Sequence, residues 1–225
     1  MESTHKTNYY DKGFIELNSI IHKETIVDIN SEIERIITDF PELCTFENWA
    51  KGNDDYVLHK ISKFTEKSNV FWNVAYNSKI ISIIEEILDE PCFLCTDKIN
   101  FKLSGGRGFY PHQDMSGIWS NYVENIISVF IAIDDSNEHN GCLQVAEGWH
   151  KKGLLGDKMC QIKEPNLSLL NFKNLIQKSG DIIIFDGFLP HQSMKNFSSS
   201  SRRILLLTYN RKSEGNYREL FLDGK

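Results

Sequence analysis

The segment YPHQD ends in a histidine and an aspartate two residues apart, shortly after the glycine-rich stretch SGGRG. Side chains at positions i and i+2 of an extended chain point to the same face. His112 and Asp114 can therefore present an imidazole and a carboxylate to one point, with Gln113 pointing away. Such a pair binds a metal in some proteins and forms a hydrogen-bonded surface pair in others. The pair alone leaves both interpretations open.

A second histidine favours metal binding over a hydrogen-bonded surface pair. His191 follows the apolar run DIIIF, in the turn DGFLPH at the end of a predicted strand. Two histidines and one carboxylate form the facial triad that suits non-haem Fe(II), with three coordination positions left open. A chelating cosubstrate and then O₂ would occupy those positions. A zinc hydrolase is the alternative interpretation of the same three ligands.

Arg202 opens the apolar run RRILLLTY, after His191 in the chain. Burying a guanidinium group is costly unless an anion meets it, and its planar fork matches a carboxylate in bidentate geometry. The position suits the far carboxylate of a dicarboxylate cosubstrate. A zinc hydrolase would leave this arginine unexplained. A regular strand turns Arg203 to the opposite face, although the preceding SSSS leaves a shift of one residue open.

The elements that must position these residues change character near residue 92. Isoleucines and aromatics recur at helical spacing from Thr25 to Phe40, and SKIISIIEEILDE predicts a second helix that ends before Pro91. After residue 92 the apolar runs are short and bounded by turn residues, as in strands. The long polar connection from Trp149 to Gly180 predicts a lid or a partly helical excursion.

We therefore predict one domain over residues 1–225, mainly β with flanking α-helices. Its helical N-terminal part covers about 1–92 and its β core about 93–215. A chain of 225 residues with 40% hydrophobic and 25% charged residues fits one core of an ordinary soluble globule. It contains no run of eighteen apolar residues of the kind that crosses a bilayer.

Composition also bears on location and partners. The polar N-terminus lacks the pattern of a secretory signal, and five scattered cysteines indicate a reducing compartment, so we expect a cytoplasmic protein. The net charge of −6, without a basic stripe, argues against nucleic acid as a partner. We expect a small-molecule substrate and no membrane partner, and the oligomeric state stays open.

The ordered set of PHQD, GCLQVAEGWHKKG, GDIIIFDGFLPHQS and RRILLLTYN resembles the phytanoyl-CoA dioxygenase family of Fe(II)/2-oxoglutarate oxygenases. YYDKGFIELNSI extends the resemblance over nearly the whole chain. It implies a double-stranded β-helix core of the jelly-roll or cupin-like type, with Fe(II) on His112, Asp114 and His191 and 2-oxoglutarate on Arg202. It also implies O₂-dependent hydroxylation of a C–H bond with release of succinate and CO₂. Related halogenases have alanine or glycine in place of Asp114, so its presence favours hydroxylation over chlorination.

The resemblance implies further cosubstrate contacts. Ser193 matches a family serine that hydrogen-bonds the cosubstrate carboxylate, and Asn100 and Lys102 lie on a strand whose polar side chains often assist. All three can equally be ordinary polar groups of a sheet. Gln113 resembles the usual middle residue of the motif and is expected to support the site near the cosubstrate. The remaining histidines are expected outside the iron shell; they are His5, His22, His59, His139 and His150.

The expected substrate residues follow the iron motif. Met115, Trp119 and Tyr122 would line the mouth of the barrel, with packing as the alternative role of Trp119. DKINFKLSGGRGFYPHQD and LLLTYNRKSEGNYRE resemble a subgroup that includes hydroxylases of aminoalkylphosphonates, whose anionic head group Lys102, Arg107 or Asn210 could meet.

Amino acids, zwitterions and natural-product intermediates remain possible substrates. One alternative function is hydroxylation of an acyl-CoA thioester, for which the sequence shows no long basic groove. Another is a cupin-like protein that binds a small ligand without turnover.

Overall fold

Two antiparallel sheets form the centre of the computed structural model, which describes residues 4–48 and 56–223. The seven-stranded major sheet has the spatial order β1 (Phe14–Leu17), β9 (Ile182–Asp186), β6 (Ile127–Ala132), β11 (Arg202–Arg211), β4 (Cys92–Lys102), β3 (Tyr56–Ser62) and β2 (Cys44–Asn48). The four-stranded minor sheet has the order β5 (Phe109–His112), β10 (His191–Ser193), β7 (Leu143–Val145) and β8 (Lys173–Leu175).

The two sheets pack face to face through apolar side chains. Leu143 and Val145 of the minor sheet share one buried cluster with Ile183 and Phe185 of β9. All five residues of β9 are buried, because the strand lies between β1 and β6 with both of its faces covered. A continuous apolar run such as DIIIF is typical of a strand in that position. The arrangement is the predicted double-stranded β-helix.

Helices flank the major sheet. They are α1 (Thr4–Lys12), α2 (Lys23–Asp39), α3 (Asn69–Ala75), α4 (Ser78–Leu88) and the short α5 (Arg218–Asp223). The predicted apolar stripe of α2 is buried at Ile26, Ile29, Ile33 and Ile36, and the helix ends just before Pro41. Asn77 begins α4 by accepting hydrogen bonds from the backbone N–H groups of Lys79 and Ile80. Within the described ranges, no helix combines the length and the apolar character needed to cross a bilayer.

The N-terminal third is less purely helical than its sequence pattern predicts. Strands β1, β2 and β3 also belong to it, and all three join the major sheet. Strand β2 is partly exposed along its length, so no apolar periodicity marks it. His59, which falls within the part predicted to be helical, lies on β3 instead. The long connection after Trp149 contains two short 3₁₀ helices, Trp149–Lys152 and Leu167–Leu169, together with β8.

Candidate metal and cosubstrate site

The three predicted metal ligands meet at one point. His112 ends β5, His191 begins β10, and the two lie directly opposite each other in the antiparallel ladder, with ring centroids 4.1 Å apart. Asp114 begins the 3₁₀ turn after β5 and brings Oδ1 to 3.9 Å from His112 Nε2 and 3.6 Å from His191 Nε2. All three ligand atoms lie within 4.8 Å of one another. Ligands bound at about 2.0–2.2 Å to one ion lie roughly 3–4 Å apart, so the geometry fits a single ion.

Hydrogen bonds orient each ligand. His112 Nδ1 lies 2.7 Å from the carbonyl oxygen of Tyr110, and His191 Nδ1 lies 2.9 Å from that of Leu189. Because a carbonyl only accepts, each Nδ1 must donate, and each Nε2 keeps a free lone pair for a metal. Asp114 Oδ2 accepts a hydrogen bond of 2.5 Å from Ser128 Oγ on β6, which leaves Oδ1 facing the histidines.

The charge states also fit a metal. Burial, and then the neighbouring His112, lower the pKa of His191 to about 4, so its imidazole is neutral near pH 7. Burial alone would raise the pKa of the Asp114 carboxyl, but the two imidazoles and the Ser128 hydrogen bond outweigh it and hold that pKa below its ordinary value. A neutral imidazole and an ionised carboxylate are the forms that bind metal ions.

A cavity of about 260 Å³ lies between the sheets at the triad. The major sheet faces the triad across this cavity with Lys60, Lys98, Asn100 and Arg202, and apolar side chains such as Leu206 complete the wall. The triad and the positively charged side chains therefore line one space.

Arg202 and Arg203 differ sharply although they are adjacent on β11. Arg203 donates hydrogen bonds from Nη2 and Nε to Asp134, at 2.6 and 2.8 Å. Arg202 lines the cavity and is only 6% exposed, and its buried Nε has no hydrogen-bond partner among the residues that the structure describes. Burial lowers the pKa of Arg202 to about 10, so the group stays charged near pH 7. A buried guanidinium with a free donor fits the carboxylate of a dicarboxylic cosubstrate.

Lys102 and Ser193 form one hydrogen-bonded unit beside Arg202. Lys102 lies opposite Arg202 in the ladder, and its Nζ donates to Ser193 Oγ at 2.6 Å and to the Met194 carbonyl oxygen at 2.7 Å. Gly141 accepts a third bond from Nζ at 3.1 Å. The φ of Gly141 is +74°, and a Cβ added to this residue would lie 2.3 Å from the Met194 carbonyl oxygen, so the loop needs glycine here. Ser193 faces the cavity and keeps its hydroxyl proton free to donate.

Of the other predicted cosubstrate contacts, one lies in the cavity and one lies outside it. Asn100 lines the cavity. Gln113 lies outside it, because its amide nitrogen donates to the carbonyl oxygens of Gly153 and Phe188 at 2.8 and 2.6 Å, and its oxygen accepts from the backbone N–H of Leu155 at 2.7 Å. The side chain joins neighbouring loops to the iron motif.

The residues expected at the substrate are not brought to the triad cavity. Met115 is buried in an apolar cluster with Trp119 packed against it, and Tyr122 lies on a separate surface groove beside Met115. The 3₁₀ turn that begins at Asp114 directs the chain away from the cavity, which the linear order of residues does not show. Asn210 is buried elsewhere: its amide oxygen accepts from Cys95 Sγ at 2.8 Å and its nitrogen donates to the Gly215 carbonyl oxygen at 3.0 Å.

Several cavity residues were not recognised from the sequence. Lys98 stands two positions before Asn100 on β4, so strand alternation could have identified it. His59 and Lys60 reach the cavity because β3 pairs with β4, and Ser128 reaches Asp114 from β6. No local pattern marks these last three residues. His59 is not among the three clustered metal ligands, although it lines the same space.

Comparison with known proteins identifies the family. The family model described as Phytanoyl-CoA dioxygenase (PhyH) matches residues 9–204. The chain belongs to the PhyH family. The resemblance recognised in the sequence is thereby confirmed, and the family match includes the triad and Arg202. Family membership together with the assembled triad makes the chain an iron- and 2-oxoglutarate-dependent dioxygenase, as predicted.

Individual relatives of this PhyH chain have been named for phosphorus compounds. The 2-aminoethylphosphonate dioxygenase of Uncultured bacterium HF130_AEPn_1 is 29% identical over 217 residues, which cover 95% of this chain and 83% of that protein. The methylphosphonate hydroxylase of Gimesia maris is 34% identical over 148 residues, which cover 65% of this chain and 56% of that protein.

A solved structure supports the fold of the PhyH chain. EctD from S. alaskensis, crystallised with 2-oxoglutarate and 5-hydroxyectoine, superposes with a TM-score of 0.81 at 19% identity. The superposition covers 95% of this chain and 77% of EctD. The predicted β-helix fold with flanking helices is confirmed.

Proposed function

We propose that this enzyme hydroxylates a C–H bond of a small polar metabolite, with His112, Asp114 and His191 as iron ligands and Arg202 as the anchor of 2-oxoglutarate. One observation carries the proposal. The facial triad and a buried guanidinium, whose Nε has no partner among the described residues, line the same cavity. Bound iron and 2-oxoglutarate would supply the oxidising chemistry that consumes O₂ and releases succinate and CO₂.

Several residues of the chain would hold the cosubstrate. The Arg202 fork would clasp the far carboxylate in bidentate geometry. Ser193 would donate a further hydrogen bond to that carboxylate, because Lys102 already occupies its acceptor site at 2.6 Å. Asn100, opposite Ile204 on β11, would offer its amide from the neighbouring strand. In this arrangement Lys102 is a positioning residue that acts through Ser193.

The cavity favours a small substrate. Its volume of about 260 Å³ is below the range of roughly 300–1,000 Å³ that is common for pockets that take drug-sized ligands. The nucleotide of an acyl-CoA thioester would have to lie outside it. Alkylphosphonates are the first class to test, beginning with aminoalkylphosphonates, because the two relatives above are named for 2-aminoethylphosphonate and methylphosphonate; amino acids and zwitterions follow.

We also propose a cytoplasmic enzyme built as one catalytic domain. All five cysteines are free, which supports a reducing compartment. Residues of both the N-terminal third and the β core line the same cavity, which supports a single domain.

The test is an anaerobic titration of the purified apo-protein, first with Fe(II) and then with 2-oxoglutarate. We expect a weak visible charge-transfer band when the oxo-acid chelates ferrous iron, and we expect His191→Ala to lose it. Release of succinate would then be measured with each substrate class. If folded wild-type protein gives no band, the proposal is wrong and the zinc or non-catalytic binding alternatives take its place.

A further inference from the structure

Two lysines occupy a part of the cavity to which the proposed iron and 2-oxoglutarate sites assign no role. Lys98 lies on β4 and Lys60 on the neighbouring strand β3, where it is paired with Asn100. Asn100 stands two residues from Lys98 on the same face of β4, so the two lysines are diagonal neighbours across the ladder. Arg202 lies further along the sheet, because it pairs with Lys102 while Lys98 pairs with Leu206.

Neither ammonium group has a hydrogen-bond or ion-pair partner among the residues that the structure describes. Within residues 4–48 and 56–223, the side chains of Lys60 and Lys98 make no hydrogen bond and no ion pair, whereas the Lys102 ammonium makes three hydrogen bonds. Burial lowers the pKa of Lys98, and the charge of Lys60 adds to this, while the Asp114 carboxylate opposes it. The two lysines carry like charges on neighbouring strands, so an anion bound between them would offset their mutual repulsion.

Among the described residues, no acidic side chain forms an ion pair with Lys60 or Lys98, and the nearby carboxylates contact other groups. Glu47 lines a neighbouring pocket, where its carboxylate oxygens lie 3.5 Å from His59 Nε2 and 3.2 Å from Arg107 Nη2. Asp114 faces the two metal-binding histidines. Asp97, next to Lys98 in sequence, is fully buried and pairs with Arg218 at 2.6 Å.

The charge balance of the cavity leaves room for a doubly charged ligand. Its lining includes the basic side chains of Lys60, Lys98 and Arg202 and one carboxylate, Asp114, so with all four groups ionised the lining carries a surplus of two positive charges. Burial lowers the pKa of His59 and so favours its neutral form. Ferrous iron would add two positive charges and 2-oxoglutarate would remove two. The surplus of two therefore remains for the substrate.

We propose that Lys60 and Lys98 form a head-group subsite for an organic dianion with a tetrahedral oxyanion, of which an alkylphosphonate is the simplest example. This inference rests on the proposed function, since it assigns a substrate class to the same cavity. A lysine ammonium binds such groups as a point charge, and two of them match a group with three oxygens and two charges better than a planar carboxylate with one. Along β4, Lys98 lies four residues from Lys102, the ladder partner of Arg202, so the head group at Lys98 would lie at a different level of the sheet from the Arg202 anchor.

The test measures binding rather than turnover. Anaerobic protein loaded with Fe(II) and 2-oxoglutarate is titrated calorimetrically with methylphosphonate, at a pH above the second pKa of this ligand. A second titration at the same pH uses methanesulfonate, which has the same shape and one negative charge fewer. We expect the wild-type protein to bind methylphosphonate more tightly. Lys98→Met and Lys60→Met should each weaken that binding by about 10- to 100-fold, the range for loss of a charged hydrogen-bond partner. Lys98→Arg should retain most of it.

The matched control is Lys178→Met, which removes the same charge from an exposed lysine paired with Asp135 at 2.8 Å. It should bind methylphosphonate as the wild type does. Circular dichroism checks folding, and the two lysine variants test the subsite independently because they lie on different strands. The visible band with 2-oxoglutarate, recorded without substrate, should be unchanged in both.

Three outcomes would overturn the subsite while leaving the proposed function intact. The first is unchanged methylphosphonate binding in both lysine variants. The second is equal affinity of the wild type for methanesulfonate and methylphosphonate, which would remove the requirement for a dianion. The third is loss of the 2-oxoglutarate band in folded Lys98→Met, which would assign this lysine to the cosubstrate. Absence of the band in the wild type would instead refute the proposed function.

Discussion

The two sheets contribute different chemistry to one cavity. The minor sheet carries the histidine ligands, and each is oriented by a carbonyl oxygen two residues before it, Tyr110 for His112 and Leu189 for His191. The major sheet contributes cations that point into the same space. Arg202 has a buried Nε without a partner among the described residues. The histidine ligands are therefore oriented by hydrogen bonds within the protein, whereas the cationic wall of Lys60, Lys98 and Arg202 has donors without a hydrogen-bond partner among the described residues.

Ser128 connects the two regions. It lies on β6 of the major sheet, yet its hydroxyl group holds Asp114 next to the histidines of the minor sheet. The position of the carboxylate ligand therefore depends on how the sheets pack, while the positions of the histidines depend on pairing within one sheet.

The largest effect is expected at the carboxylate of the triad. Asp114→Ala removes the anionic ligand and leaves two neutral imidazoles, so we expect loss of the visible band and of 2-oxoglutarate-dependent succinate release. Anaerobic iron titration and a succinate assay measure both. Full activity in Asp114→Ala would show that iron binds elsewhere and would remove the distinction between the two regions.

A smaller effect is expected at the cationic wall, where adjacent arginines allow a matched comparison. Arg202→Met should raise the 2-oxoglutarate concentration needed for half-maximal band intensity by about 10- to 100-fold, the range for losing a charged hydrogen-bond partner. Arg203→Met removes the same charge but breaks only the contact with Asp134, so it should lower thermal stability and leave 2-oxoglutarate binding within about twofold. The reverse result would mean that Arg203 binds the cosubstrate.

Ser128→Ala tests the link between the sheets. Removing the hydroxyl frees Asp114 to rotate, and the loss of a hydrogen bond to a metal ligand typically lowers metal affinity by about 10- to 100-fold. We expect iron affinity to fall toward the low end of that range, because both histidines keep their own hydrogen bonds. Equilibrium dialysis against Fe(II) under argon measures it, and Ser128→Thr should restore the affinity. Unchanged iron binding in Ser128→Ala would show that Asp114 is positioned by the turn alone.

The smallest expected effect is an uptake of protons when 2-oxoglutarate binds. Burial, and then the charge of Arg202, lower the pKa of Lys102 to about 7, so in the ligand-free protein a large share of this amine is neutral between pH 7 and 8. A carboxylate bound beside Arg202 would raise that pKa, and 2-oxoglutarate binding should therefore take up a fraction of a proton in this window. Calorimetry in buffers of different ionisation enthalpy measures the uptake. Lys102→Met should abolish it, and equal uptake in that variant would assign the proton to another group.

Local sequence patterns were sufficient to predict the faces of several site residues and one helix of this enzyme. The alternation of side chains along a strand placed His112 beside Asp114 and turned Arg202 and Arg203 to opposite faces, because period two is a property of any extended chain. Helix α2 was visible for the same reason, since its buried isoleucines repeat with the helical period.

Tertiary structure alone decided the remainder of the site. Lys60 reaches the cavity because β3 pairs with β4, and Ser128 reaches Asp114 because the two sheets pack together. Conversely, Trp119 is close to the iron motif in sequence, but the 3₁₀ turn after Gln113 carries it to another cluster. Proximity in sequence predicts which residues share a strand. Which strands and loops meet at a cavity depends on sheet order and packing, which arise from contacts between distant parts of the chain.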